Sequence, residues 1–162
     1  AFMPDDSVII TPLALDASAL EENYFLVYTG LTRKATDILG RQSESSDEKR
    51  SDLDELRQQA IEVRTALEAN DHAAVGRLLD SSWQIKRSLV EGITVTELDD
   101  LYASIIGMGA SGGKLLGAGG GGFFLFHGST EVRDRVAQIH KVLDLVLDDV
   151  GSTIIFNDGS RP

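Results

Sequence analysis

The sequence predicts an α+β domain, a four-stranded and largely antiparallel sheet covered by helices on one side. Three observations lead there. Four short apolar runs, at residues 8–11, 24–29, 123–127 and 152–157, read as strands, while about five stretches repeat apolar residues at three- and four-residue steps. Between them, residues 107–122 are so rich in glycine that no packed element is expected there, only a loop joining a helix to a strand.

Val8-Ile9-Ile10-Thr11 is β-branched and stopped by Pro12, which predicts an edge strand. Residues 16–22 are expected to form a helical turn or a loop. Tyr24-Phe25-Leu26-Val27-Tyr28-Thr29 is a continuous apolar run ended by Gly30, as in a strand buried on both faces. Thr32 can cap a helix carrying Ala35, Ile38 and Leu39, and residues 42–49 lack periodicity and read as an exposed loop. Leu53, Leu56, Ala60, Val63 and Leu67 predict a long amphipathic helix ending at Asn70-Asp71. Val75, Leu78, Ser82, Ile85 and Leu89 predict a second, ended by Gly92, and the two form an antiparallel hairpin. Thr94-Val95-Thr96-Glu97 has the spacing of a capping box and opens a helix with Leu98, Leu101 and Ile105 inward. After the strand at 123–127, Ser129 or Thr130 caps a last helix predicted to carry Val132, Val136, Ile139, Leu143 and Val146. Residues 152–157 supply the final strand.

Composition narrows the function. With 162 residues, 42% hydrophobic and 25% charged, the chain suits one domain with its own core. A net charge of −11 opposes nucleic acid and anionic membrane, and no basic stripe with interleaved aromatics offsets it. A small phosphorylated ligand stays open, because one cation in a concave site outweighs distant carboxylates screened by salt. The absence of cysteine excludes thiol catalysis, disulfides and cysteine-ligated zinc. His72, His127 and His140 are far apart without carboxylates at ligand spacing, so no metal site is expected from them. No apolar run approaches the ~20 residues of a membrane span, and a cytoplasmic location is expected. The first methionine is the third residue, which suggests a chain cut from a longer one.

The glycine segment poses the functional question. Its nine glycines each cost roughly 0.5–1 kcal/mol relative to alanine, so they imply positive φ or close approach to something. Residues 107–112 and 117–122 both match the dinucleotide fingerprint, yet the first follows a helix and the second leads into a strand, the reverse of the required order. A Walker loop fails as well, since Met108 and Leu115 occupy its glycine and hydroxyl positions around Lys114. What remains is a helix, a glycine loop with one lysine, and a strand. Glycine amides and an ammonium suit phosphate or another anion. The competing reading is a turn in which bare backbone lets two elements pack closely.

Gly112-Gly113-Lys114-Leu115-Leu116-Gly117-Ala118-Gly119-Gly120-Gly121-Gly122-Phe123-Phe124-Leu125-Phe126 closely resembles the third signature motif of the galactokinase, homoserine kinase, mevalonate kinase and phosphomevalonate kinase (GHMP) superfamily. Phe-Leu-Val-Tyr-Thr-Gly-Leu-Thr-Arg-Lys-Ala-Thr-Asp-Ile-Leu at 25–39 is similar to the D-glycero-D-manno-heptose 7-phosphate kinases and related sugar kinases. So are Ser82-Trp83 before a lysine, Gly92-Ile93, residues 98–102 and Gly159-Ser160-Arg161. The resemblance covers nearly the whole chain. It implies the ferredoxin-like C-terminal domain of such a kinase over residues 23–162, with residues 1–22 as the end of an upstream domain or an edge-strand lead-in. It also implies ATP and Mg2+ in the full-length enzyme, a sugar phosphate as substrate, and the upstream kinase domain as partner.

In that family the proline-led phosphate loop and the catalytic aspartate lie upstream. Neither Pro4-Asp5-Asp6-Ser7 nor Pro12-Leu13-Ala14-Leu15 fits the loop, so no catalytic residue is expected here and the isolated chain is expected to be inactive. The resemblance places Gly112, Gly113, Lys114, Gly117, Gly119, Gly120 and Gly121 along the cleft between the halves. Thr29 and Arg33 become candidates for holding the substrate's existing phosphate. Arg33 also fits an ordinary first-turn helix residue, and Lys114 a structural partner for a buried carboxylate. Two rivals remain: a non-catalytic anion-binding or regulatory module, and a sister kinase acting on fucose, galactose or mevalonate.

Overall fold

The apolar run after Asn23 becomes β1 (Tyr24–Tyr28), an interior strand of the sheet. The structure, a computed structural model, describes residues 7–32, 49–89 and 92–148. Around β1 stand α1 (Ala17–Asn23), α2 (Arg50–Glu68), α3 (His72–Leu89), α4 (Thr96–Gly107), β2 (Gly112–Leu115), β3 (Phe123–His127), α5 (Thr130–Ala137) and β4 (Val142–Asp144). The strand order is β2-β3-β1-β4 and every neighbouring pair is antiparallel. The α+β class and the four-stranded antiparallel sheet are therefore as the sequence predicts, although two strands are not the ones expected.

Residues 8–11 form no strand. Val8 makes only an isolated bridge, and Ile10 is 85% exposed. Within the glycine segment a strand does form, β2, because Gly112 to Leu115 find backbone partners along β3. The expected long last helix stops at Ala137, and residues from its predicted continuation form β4 on the free edge of β1. That edge offers a row of unmatched donors and acceptors, and its tertiary hydrogen bonds override the helical periodicity of Ile139, Leu143 and Val146. The strand predicted at 152–157 and the helix at 32–39 fall largely or wholly outside the described residues.

Local signals explain most helix ends. Asp16 caps α1 by accepting from the Ala19 amide at 3.2 Å. Asn70 adopts φ +54° at the turn of the α2–α3 hairpin, and the Asp71 carboxylate accepts from the Ala74 amide at 2.9 Å. The predicted capping box is not built. Val95 is the cap of α4 without a side-chain bond, while the Thr94 hydroxyl donates to Asp99 Oδ1 at 2.6 Å. Ser129 caps α5 as expected.

One sheet face carries Phe25, Val27, Leu115, Phe124 and Phe126, all fully buried. Onto it pack Leu98, Tyr102 and Ile105 of α4 and Val136 of α5. α3 lies along β2 at the sheet edge, which covers that strand's open side. From there it sends Trp83 against Phe124, edge to face at 5.3 Å, and Ser82 to the opposite face. There the α2–α3 hairpin, with Tyr24 and Leu125, lines a wholly apolar cleft of about 240 Å³.

Candidate functional site

The glycine segment divides into two parts. Gly112 and Gly113 lie in β2 and face packed neighbours. A Cβ at Gly112 would meet the carbonyl oxygen of Gly76 in α3, and one at Gly113 would meet the ring of Phe126. These two glycines are the means by which a helix and an aromatic ring approach the strand. Gly117, Gly119, Gly120 and Gly121 lie in the loop that follows, all with positive φ.

That loop is tethered through its backbone. The Gly120 amide donates to Ile93 O at 2.8 Å, and the Gly122 amide to Leu31 O at 2.9 Å. The Thr29 amide and hydroxyl both donate to Gly122 O, each at 3.0 Å. A side chain at Gly121 would strike Leu31 O, and its φ of +153° lies in the region glycine favours. The amide of Gly120, a residue expected along the cleft, and that of Gly122 are thus spent on Ile93 and Leu31. Among the described residues the Gly117, Ala118 and Gly121 amides donate to no protein acceptor. Successive free amides beside glycines of positive φ form the concave donor set that binds anions.

The sequence-derived candidates therefore separate. Thr29 does join the loop, as its anchor through Gly122. Lys114 does not point at the loop. Its Nζ donates to Ser82 Oγ at 2.7 Å and lines a cavity of about 260 Å³ with Leu56, Gln59 and Leu78 of the hairpin. No ion pair among the described residues includes it, so the expectation of a carboxylate partner finds no support there. Arg33 lies outside the described residues.

Sequence reasoning missed Lys86. From α3 its Nζ donates to Gly117 O at 2.5 Å and Leu115 O at 3.4 Å. The signal was present: Lys86 stands four residues after Ser82, near the inward stripe of α3, where an ordinary surface lysine does not belong. Burial first, then the neighbouring Lys114 charge, brings Lys86 down to about 8. Burial also lowers Lys114. A second hollow, about 550 Å³, opens beside Thr29 and Gly30 and is lined by Glu97, Asp100, Ser104, His140 and Lys141. No group of three or more His, Asp or Glu side chains converges as metal ligands among the described residues. No helix among the described residues is long and apolar enough to cross a membrane.

An antiparallel α+β sheet with a tethered glycine loop between two of its strands is the arrangement expected of a GHMP kinase C-terminal domain, and comparison bears this out. Residues 63–143 match the family model for the GHMP kinases C terminal, and the chain belongs to that family. It is 35% identical over 153 residues to the D-glycero-alpha-D-manno-heptose 7-phosphate kinase of Campylobacter jejuni, covering 91% of this chain and 45% of that protein. Among solved structures, L. major mevalonate kinase in complex with R-mevalonate matches with a TM-score of 0.65 at 20% identity, covering 80% of this chain and 40% of that one. A putative sugar kinase from Campylobacter jejuni matches with a TM-score of 0.57 at 29% identity, covering 88% and 42%. The chain spans rather less than half the length of these kinases.

Proposed function

We propose that this chain is the C-terminal half of an ATP-dependent sugar-phosphate kinase that phosphorylates the anomeric hydroxyl of a heptose 7-phosphate. The observation that carries the reading is the 35% identity to a heptose 7-phosphate kinase across 91% of the chain. The glycine loop supports it, since free amides and a nearby ammonium suit a phosphorylated ligand. In this reading residues 23–162 form the kinase's C-terminal domain, residues 1–22 lead in from the upstream domain, and the enzyme works in the cytoplasm.

In the transfer, the sugar hydroxyl oxygen bonds to the γ-phosphorus of ATP as the bond to the β–γ bridging oxygen breaks. ADP leaves, and the hydroxyl proton passes to a base of the upstream half. Phosphoryl transfer is chiefly positioning and charge neutralisation around magnesium-bound nucleotide. The loop of this chain forms one wall of the cleft, with Gly117, Gly119, Gly120 and Gly121 letting backbone approach the ligand and Thr29 holding the loop in place. Lys114 and Arg33 remain candidates for contact with substrate phosphate. Metal ligands and nucleotide loop come from the other half, so the isolated chain binds weakly and does not turn over.

The test is ATP-dependent phosphorylation of heptose 7-phosphate by this chain joined to its upstream half. Turnover with that sugar above fucose, galactose and mevalonate supports the reading. A folded full-length protein with no transfer to it, and with Lys114→Ala no different, overturns it. Saturable micromolar binding of sugar phosphates by the 162 residues alone would favour an anion-binding module instead.

A further inference from the structure

Two side chains hold carbonyls of the glycine loop. Thr29 takes the end next to β3, and Lys86 takes the end next to β2. The two acceptors of Lys86, Leu115 O and Gly117 O, bracket Leu116, where strand becomes loop. Its ammonium is half-buried, and its known partners are carbonyls. The charge acting on it is that of Lys114 on β2; its own helix also carries Arg77, Asp80 and Arg87, and Asp99 of α4 lies beside Arg87. Arg87 pairs with Asp99 at 2.8 Å, Asp80 accepts from Tyr102 at 2.6 Å, and no ion pair among the described residues includes Lys86. A half-buried cation without a carboxylate partner is costly, and here its acceptors flank the residue at which β2 gives way to the loop.

We propose that Lys86 is a positioning residue for the glycine loop: by holding the carbonyls on both sides of Leu116, it sets the angle at which the loop leaves β2 and the direction of the free amides of Gly117 and Ala118. Its functional consequence rests on the kinase reading, whereas the positioning itself does not. The lowered titration of Lys86, near 8, brings the contact within experimental reach, since loss of the charge weakens both bonds without removing a side chain.

The experiment follows the carbonyl carbon resonances of Leu115 and Gly117 by NMR with direct carbon detection, in the labelled 162-residue chain, from about pH 6.5 to about 10. In the wild type both resonances move with a shared midpoint near 8. In Lys86→Arg the shared midpoint near 8 disappears, because a guanidinium keeps its charge throughout and preserves the bonds, and only the separate titration of Lys114 remains. In Lys86→Met that midpoint is likewise absent, and the resonances are displaced from the wild-type positions at low pH. Absence of the wild-type titration, or its survival in Lys86→Arg, overturns the assignment; should Lys86→Met fail to give a dispersed spectrum, the other two proteins decide.

In the full-length kinase, Lys86→Met lowers kcat/KM by roughly tenfold to a hundredfold and Lys86→Arg restores it to within about threefold. Failure of the carbonyl readout removes Lys86 and leaves the kinase reading standing. A positive readout in a full-length protein without phosphotransfer counts against the kinase reading alone.

Discussion

Gly112–Gly113 and Gly117–Gly122 are parts of one glycine-rich stretch, yet they use the missing side chain for different ends. In β2 the glycines have ordinary extended backbone, and their neighbours occupy the space a Cβ would fill: the Gly76 carbonyl and the Phe126 ring. In the loop two positions have open space but positive φ, Gly117 (+72°) and Gly122 (+98°). The first part is glycine for contact and the second for conformation. The loop, unlike the strand, leaves amides over for a ligand.

Substitutions should separate the two uses. Gly112→Ala carries the largest penalty, about 3 kcal/mol at the upper end for over-packing, because the obstructing atom is helix backbone that cannot rotate away. Urea unfolding measures it; a loss below about 1 kcal/mol would mean that α3 moves off the strand easily. Gly121→Ala comes next, at about 2 kcal/mol, combining unfavourable φ with contact on Leu31 O. Gly117→Ala has no obstruction and costs only about 1 kcal/mol from φ. In the full-length kinase proposed above, its expected effect is on kcat/KM instead, since it alters the free amides. Equal stability losses at Gly112 and Gly117 would erase the distinction.

The smallest effect is electrostatic. Lys86 titrates near 8 when folded and at 10.5 when free, so between those values the unfolded chain holds a proton that the folded chain does not. Stability therefore rises with pH across that window, and Lys86→Met removes its share of the rise while leaving that of Lys114. Above about 10 the buried phenols act in the opposite sense: Tyr24 is raised to about 12, and Tyr102 is raised by burial and its bond to Asp80. Unfolding compared at about pH 8 and about pH 9.5 isolates the lysines.

The fold class, the α2–α3 hairpin, β1, β3 and the Ser129 cap were legible because each rests on local spacing or a local cap. β2 was not, since only pairing with β3 makes a strand of Gly-Gly-Lys-Leu. β4 was hidden by the helical spacing of Ile139, Leu143 and Val146, which the free edge of β1 overrides. The loop and its Thr29 neighbour were readable from composition and resemblance. Lys86 showed only its place near the inward stripe of α3; its acceptors are carbonyls 29 and 31 residues away, and a backbone acceptor leaves no mark in sequence. The turn of Lys114 toward Ser82 was equally out of sight, since the motif gives its position and not its partner.

The central claim is that the loop is a backbone-tethered wall that leaves a few amides free. Amide hydrogen exchange in this chain tests it most directly. The Gly120 and Gly122 amides, bonded to Ile93 O and Leu31 O, should exchange slowly, whereas Gly117 and Ala118 exchange near unstructured rates. If Gly120 and Gly122 exchanged as fast as Gly117, the loop would not be tethered and the account of the site would fail.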